Sequence, residues 1–187
     1  PFFIFIYGNG SIFMKSYFCL NSFRHLLATS AFVLAVGIGP AKSKDKKSSK
    51  VSLPDSLLDA AGTEVSRETL KGKYVGIYFS ASWCPPCRTF TPKLVDFRNA
   101  NKEEFEVVLI GSDRSAKAQA NYMKKYKMPW LAVKHQSLAA NLLVKKMGVA
   151  GIPYLVILAP DGSIVTKDGR GELGRSPGKA LDKWKKG

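Results

Sequence analysis

The chain has 187 residues, 45% of them hydrophobic and 23% charged, which allows one packed domain plus a tail and excludes global disorder. Lys and Arg number 29 against 14 acids, a formal charge of +15 at pH 7. Three cysteines cannot staple a disulfide-rich mini-protein and two histidines argue against a multi-histidine metal centre. With no unbroken apolar run of roughly 18 residues, a multi-spanning membrane protein is excluded.

Residues 1–41 contain no Asp or Glu, and their only Lys and Arg are Lys15 and Arg24. Residues 26–38 (LLATSAFVLAVGI) are apolar or small and lead into Gly39-Pro40-Ala41. A basic zone, an apolar zone and small residues in that order read as a secretory signal peptide. Met14 is the first methionine, so residues 14–41 are the expected signal, cut after Ala41. Residues 1–13 are then expected to be upstream sequence translated from a misplaced start. An uncleaved membrane anchor is the other reading, for which the apolar run is short. Cleavage predicts an extracytoplasmic protein, periplasmic or secreted. Residues 42–50 (KSKDKKSSK) are polar and basic, with no apolar periodicity. They read as a flexible leader, either simply solvated or touching an anionic membrane or wall surface. The folded domain is expected over residues 51–187.

Within it, Tyr74–Ser80 (YVGIYFS) is a β-branched and aromatic run after Lys71-Gly72-Lys73 and predicts a buried strand. Residues 88–100 follow with Phe90, Leu94, Val95 and Phe97 at helical spacing; the prolines just before them are tolerated in a first helical turn. Residues 105–110 (FEVVLI) predict a second buried strand, residues 115–125 an exposed helix, and residues 137–147 another helix stopped at Gly148. Residues 154–158 and 163–167 predict a hairpin through Pro160-Asp161-Gly162. Ser176-Pro177 opens a last helix, basic at its end. This order implies parallel strands joined by crossover helices plus an antiparallel edge hairpin, a three-layer α/β/α sandwich.

The chemistry lies at Cys84-Pro85-Pro86-Cys87, where a strand hands over to a helix start. Unpaired amides and the positive end of the helix dipole stabilise a thiolate there, so Cys84 is expected to ionise more readily than an ordinary thiol. Two intervening residues let Cys87 swing onto Cys84 and resolve a mixed disulfide. Trp83 offers a flat apolar lip, and Arg88 either adds positive field or is an ordinary surface arginine. A permanent staple would close too short a loop to constrain much chain. A zinc site lacks ligands, since cleavage removes Cys19 and leaves His135. Ahead of the third predicted strand, Gly151-Ile152-Pro153 offers an X-Pro bond that in its cis form exposes backbone to an extended peptide.

YFSASWCPPCRTFTPKL, Ser112-Asp113-Arg114-Ser115, Lys127-Met128-Pro129-Trp130-Leu131-Ala132-Val133 and GIPYLVILAPDGSIVTKDGR occur in this order. Together, over residues 70–171, they resemble the thioredoxin superfamily, specifically its nucleoredoxin and tryparedoxin branch. The resemblance implies a thioredoxin fold with a central mixed sheet, Cys84 as attacking thiol, Cys87 as resolving thiol and a cis Pro153 facing them. It implies a substrate surface of Trp83, Pro85, Pro86, Ile152 and Pro153, with Trp130 packed near the site or serving the core alone. Where ordinary thioredoxins carry a buried Asp six residues before the first cysteine, Tyr78 stands here. Asp113 is a loose candidate for the proton acceptor. The exported address also departs from these mainly intracellular relatives and suggests a bacterial extracytoplasmic oxidoreductase, similar in role to cytochrome-maturation reductases.

The expected activity is therefore thiol–disulfide exchange with protein substrates and an unidentified electron donor or acceptor, without cofactor, metal or nucleic acid. A thiol peroxidase and a thioredoxin-fold copper-binding protein are the alternatives.

Overall fold

The structure, a computed structural model, describes residues 50–186; the expected signal peptide, upstream segment and almost all of the basic leader lie outside them. Among the described residues, seven strands form one sheet in the order β2-β1-β5-β4-β3-β6-β7. In chain order they are β1 (Ser56–Leu58), β2 (Glu64–Ser66), β3 (Tyr74–Ser80), β4 (Phe105–Gly111), β5 (Leu131–Ala132), β6 (Tyr154–Leu158) and β7 (Ile164–Thr166). The helices are α1 (Pro85–Ala100), α2 (Ala116–Lys125), α3 (Leu138–Met147), α4 (Gly169–Arg175) and α5 (Pro177–Lys185), with a 3-10 turn at Arg67–Leu70.

Strand alternation divides the molecule into three layers. Val75, Ile77 and Phe79 of β3 pack with Val108 and Ile110 against Ala140, Leu143 and Met147 of α3. Tyr78, Val107 and Leu109 face the opposite way, onto Phe90, Leu94 and Phe97 of α1, Tyr122 and Met123 of α2, and Trp184 of α5. Successive side chains of a strand point to opposite faces, so both faces of β3 and β4 require apolar cover. Each large aliphatic buried this way contributes about 1.5–3 kcal/mol. Gly76 lies where two layers meet: a Cβ there would sit 2.9 Å from the Phe105 ring and 3.1 Å from Leu155. This is an α/β sandwich with a mixed sheet.

The central strands β3 and β4 pair in parallel over their whole length, from Tyr74↔Phe105 to Ser80↔Gly111, and β5 continues parallel beside β4. The third long strand corrects the expectation of parallel pairing. β6 runs antiparallel to β3, with Tyr154 opposite Phe79 and Leu158 opposite Val75. Hydrophobic alternation reads the same in both directions, so it carries no information on strand polarity. Strands β1, β2 and β5 and helix α4 were not expected from the sequence.

Helix ends follow local chemistry. The Ser115 and Ser137 side chains accept the amides of Ala118 and Ala140, capping α2 and α3. Gly148 ends α3 in the left-handed conformation at φ 68°, which a residue with a Cβ adopts only at a cost. Helix α1 begins at Pro85, three residues before the expected span of 88–100, because Pro85 and Pro86 occupy first-turn positions whose amides have no intrahelical partner. Val51 N donates to Gly162 O at 2.8 Å, tying the start of the domain to the β6–β7 turn.

Candidate active site

Strand β3 ends at Ser80, and a tight turn, closed by Cys84 N donating to Ala81 O at 3.2 Å, delivers the chain to α1. Cys84 is the N-cap residue of that helix, and its Sγ accepts the Cys87 amide at 3.4 Å. Cys84 and Cys87 are joined as a disulfide with their Cα atoms 5.2 Å apart. Cys84 retains 4% exposure and Cys87 none, so a partner molecule reaches the first sulfur before the second. Both pack with Ala81 and Ile152 in one small cluster.

The loop before β6 closes the other side. The Ile152–Pro153 peptide is cis, and the Ile152 carbonyl oxygen lies 3.7 Å from Cys84 Sγ. Pro153 itself is buried, while Pro85 and Pro86 are exposed on the helix start. Trp83 is 55% exposed, an unusual cost for so large an apolar ring, and its Nε1 donates to Ser112 O at 3.0 Å. Arg88 and Arg114 are exposed and make no ion pair with an acid among the described residues. A groove of about 600 Å³ adjoins Pro86 and is lined by Phe90, Lys93, Arg170 and Arg175 among others. Arg175 is already paired with Asp168 at 2.8 Å, leaving Lys93 and Arg170 as its uncompensated cations. These basic groove residues were not singled out from the sequence; they come together only through the packing of α4 on α1.

Behind the disulfide is a buried hydroxyl cluster that sequence reasoning also missed apart from Tyr78. Thr91 Oγ1 donates to the Cys87 carbonyl at 2.9 Å, and Tyr78 Oη lies 2.9 Å from Thr91 Oγ1 and 3.3 Å from that carbonyl. Tyr122 Oη lies 2.7 Å from Thr91 Oγ1 and 3.0 Å from Ser80 Oγ. Four hydroxyl protons serve five contacts: Ser80 donates to Tyr122, Tyr122 and Tyr78 donate to Thr91, and Thr91 donates to Cys87 O, which leaves the longer 3.3 Å approach of Tyr78 Oη to that carbonyl without a proton of its own. Burial pushes the Tyr78 phenol well above its ordinary value, and the neighbouring Tyr122 adds to the shift. Tyr78 is thus held protonated, a hydrogen-bond donor and not a base at neutral pH. The signal available in the sequence was polarity at core-facing positions, Ser80 two residues after Tyr78 and Thr91 one turn after Cys87.

Asp113 is 2% exposed and reaches the turn before the cysteines: its Oδ1 accepts from Ser82 N at 2.9 Å and Ser82 Oγ at 2.6 Å. It braces the loop, with no contact to Cys87 Sγ. Trp130 sits one layer back, edge-on to Tyr78 with ring centroids 6.4 Å apart, inside the core shared by α1 and α2. The structure therefore brings Cys84, Cys87, Ile152 and Pro153 together, sets Trp83, Pro85 and Pro86 on the rim, and places Tyr78, Asp113 and Trp130 in support.

A sequence family described as thioredoxin-like matches residues 72–164. Nucleoredoxin of Xenopus laevis is 46% identical over 109 residues, 56% of this chain and 26% of that protein, so the chain spans about a quarter of its length. Tryparedoxin of Trypanosoma brucei brucei is 41% identical over 133 residues, 69% of this chain and 90% of that protein. A solved tryparedoxin II complexed with glutathionylspermidine superposes with a TM-score of 0.61 at 39% identity, covering 67% of this chain and 89% of that one. Tryparedoxin is matched over nearly its whole length at an identity that fixes both fold and kinship, and the chain belongs to the thioredoxin-like family, among the relatives of nucleoredoxin and tryparedoxin.

Proposed function

We propose that this protein is a thiol–disulfide oxidoreductase that exchanges the Cys84–Cys87 dithiol and disulfide with protein substrates. The observation that carries the reading is the position of Cys84 Sγ, capping α1 and accepting the Cys87 amide at 3.4 Å. A thiolate there gains from the free amides and dipole of the helix start.

In the reducing direction the Cys84 thiolate attacks one sulfur of a substrate disulfide. A Cys84–substrate bond forms, the substrate S–S bond breaks, and the departing sulfur takes up a proton. Cys87 then loses its proton and attacks Cys84 Sγ, which restores the internal disulfide and releases the second substrate thiol. The substrate gains two electrons and this chain loses two; a dithiol donor returns them, and the same steps run backwards with an oxidising partner. Trp83, Pro85, Pro86, Ile152 and Pro153 form the surface on which the substrate lies, and the free backbone of Ile152 suits an extended segment. Thr91 and Tyr78 hold the Cys87 carbonyl, Tyr122 holds Thr91, Asp113 holds Ser82, and Trp130 backs Tyr78.

The uncompensated cations around the site, Arg88, Arg114, Lys93 and Arg170, favour acidic protein segments over a polyamine conjugate such as the glutathionylspermidine bound by tryparedoxin II. We also propose that residues 14–41 direct export and are removed after Ala41, that residues 51–187 are the working domain, and that residues 42–50 remain as a basic leader available to anionic surfaces. N-terminal sequencing of the secreted protein tests the cut site.

The activity is tested by reduction of insulin disulfides with dithiothreitol as donor. The wild-type chain accelerates the reaction, Cys84→Ser abolishes the acceleration, and Cys87→Ser accumulates a mixed disulfide with substrate. Turnover by Cys84→Ser at the wild-type rate would refute the assignment.

A further inference from the structure

Two aromatic ring nitrogens converge on one short segment beside Cys84. Trp83 Nε1 donates to Ser112 O at 3.0 Å, and His135 Nε2 lies 2.7 Å from the next carbonyl, Asp113 O. A carbonyl only accepts, so Nε2 carries the proton. The Asp113 side chain reaches the opposite way, its Oδ1 taking both Ser82 N and Ser82 Oγ. Ser82 immediately precedes Trp83 and Cys84. His135 is therefore linked to the attacking-thiol loop through a single intervening residue.

The turn that presents His135 is itself unusual. Ser137 N donates to Lys134 O at 3.1 Å, closing a β-turn whose third residue, Gln136, has φ 49°. Glycine or asparagine normally fills such a position, because a Cβ clashes there. Left-handed backbone at a glutamine persists where neighbouring contacts over-determine it. Here the neighbours are the His135 ring on one side and the Ser137 cap of α3 on the other, whose Oγ accepts Ala140 N at 3.2 Å.

We propose that His135 is a positioning residue of the thiol–disulfide site: by holding the Asp113 carbonyl it fixes the 112–113 segment, which in turn clamps Ser82 and Trp83 around Cys84. The inference rests on the oxidoreductase reading above. It gives His135 no contact with substrate; its effect is on how firmly the Trp83 rim is set.

The test compares the full-length wild-type chain with His135→Gln, which keeps an N–H donor, and His135→Phe, which keeps a ring without one. In insulin reduction, His135→Phe raises KM about fivefold, the worth of one lost hydrogen bond, and leaves kcat within about twofold. His135→Gln recovers most of the loss. The fluorescence change on reducing Cys84–Cys87 shrinks in His135→Phe by the part that Trp83→Phe also removes. Should His135→Phe fail to fold, wild-type protein labelled with 15N-histidine gives the answer: the His135 Nε2–H resonance shifts when the disulfide is reduced. Equal KM in all three folded proteins, or a resonance blind to the redox state, overturns the proposal while leaving oxidoreductase activity intact. A wild-type chain that reduces no insulin overturns the oxidoreductase reading and this inference with it.

Discussion

Thr91 is the hub of the hydroxyl cluster behind the disulfide, and replacing it with valine removes one oxygen while keeping the shape of the side chain. That oxygen makes three contacts, to Cys87 O at 2.9 Å, Tyr122 Oη at 2.7 Å and Tyr78 Oη at 2.9 Å. Each buried hydrogen bond lost costs about 1 kcal/mol net, and a polar group stranded without a partner costs about 1–3 kcal/mol. Neither phenol is fully stranded, since Tyr78 retains the Cys87 carbonyl at 3.3 Å and Tyr122 retains Ser80 at 3.0 Å. The added methyl group recovers part of the loss by burial. Thr91→Val is therefore expected to destabilise by about 2 kcal/mol, lowering the midpoint of thermal unfolding by about 4–8 °C for a domain of this size. Thr89, two residues earlier on the same helix, is exposed and bonds only Pro85 O at 3.3 Å, so Thr89→Val supplies the control and shifts stability by less than about 0.5 kcal/mol. Urea unfolding of the oxidised proteins with linear extrapolation measures both. If the two variants cost the same, the hydroxyl cluster contributes nothing specific and the account of the Cys87 support is wrong.

Tyr78→Phe removes a phenol that burial keeps protonated, so the pH–rate profile of insulin reduction should keep its inflections near neutrality; loss of an inflection in that variant would make Tyr78 a base after all. Arg98 grips Glu106 through two nitrogens, with side-chain exposures of 16% and 10%, and Arg98→Ala strands a nearly buried carboxylate at a cost of about 3 kcal/mol in urea unfolding, whereas an effect below about 1 kcal/mol would mean water replaces the arginine freely. For Glu172, partial burial works to raise the carboxyl, but hydrogen bonds from Lys183 and Trp184 outweigh it and hold the group below its usual range. A depressed carboxyl contributes stability above its unfolded value and loses it as pH falls through the folded one, so wild type should weaken relative to Glu172→Gln as acid is added below about pH 4.5. Parallel stability curves for the two proteins in that window would contradict the assignment.

The parts of the fold that could be read in advance are those whose information is local. Tyr74–Ser80 and Phe105–Gly111 are long apolar runs, α1 and α3 have clear helical periodicity, and Ser115, Ser137 and Gly148 mark helix ends by their own chemistry. Strands β1, β2 and β5 are two or three residues long and exist because a neighbour supplies their ladder, as Leu57↔Val65 and Leu109↔Ala132 show. Helix α4, GRGELGR, has poor propensity and forms because the absence of a side chain at Gly169 lets it approach Ile157. At the site, Cys84-Pro85-Pro86-Cys87 announces itself by spacing. Strand and helix spacing link Ser80 to Tyr78 and Thr91 to Cys87, but Tyr122, the α4 residues of the groove beside Pro86 and the His135–Asp113 contact are brought in only by tertiary packing. Asp113 illustrates the limit: its identity suggests proton transfer, while its two hydrogen bonds to Ser82, which brace the loop, are visible only in three dimensions.

Equilibrium titration of the Cys84–Cys87 couple in defined glutathione and dithiothreitol buffers, read by thiol alkylation, tests the central claim most directly. A working exchange site gives a reversible two-electron transition with a midpoint between about −270 and −120 mV, the range spanned by thioredoxin-type exchange proteins. A pair that stays bonded to potentials below about −300 mV behaves as a structural cross-link and contradicts the account.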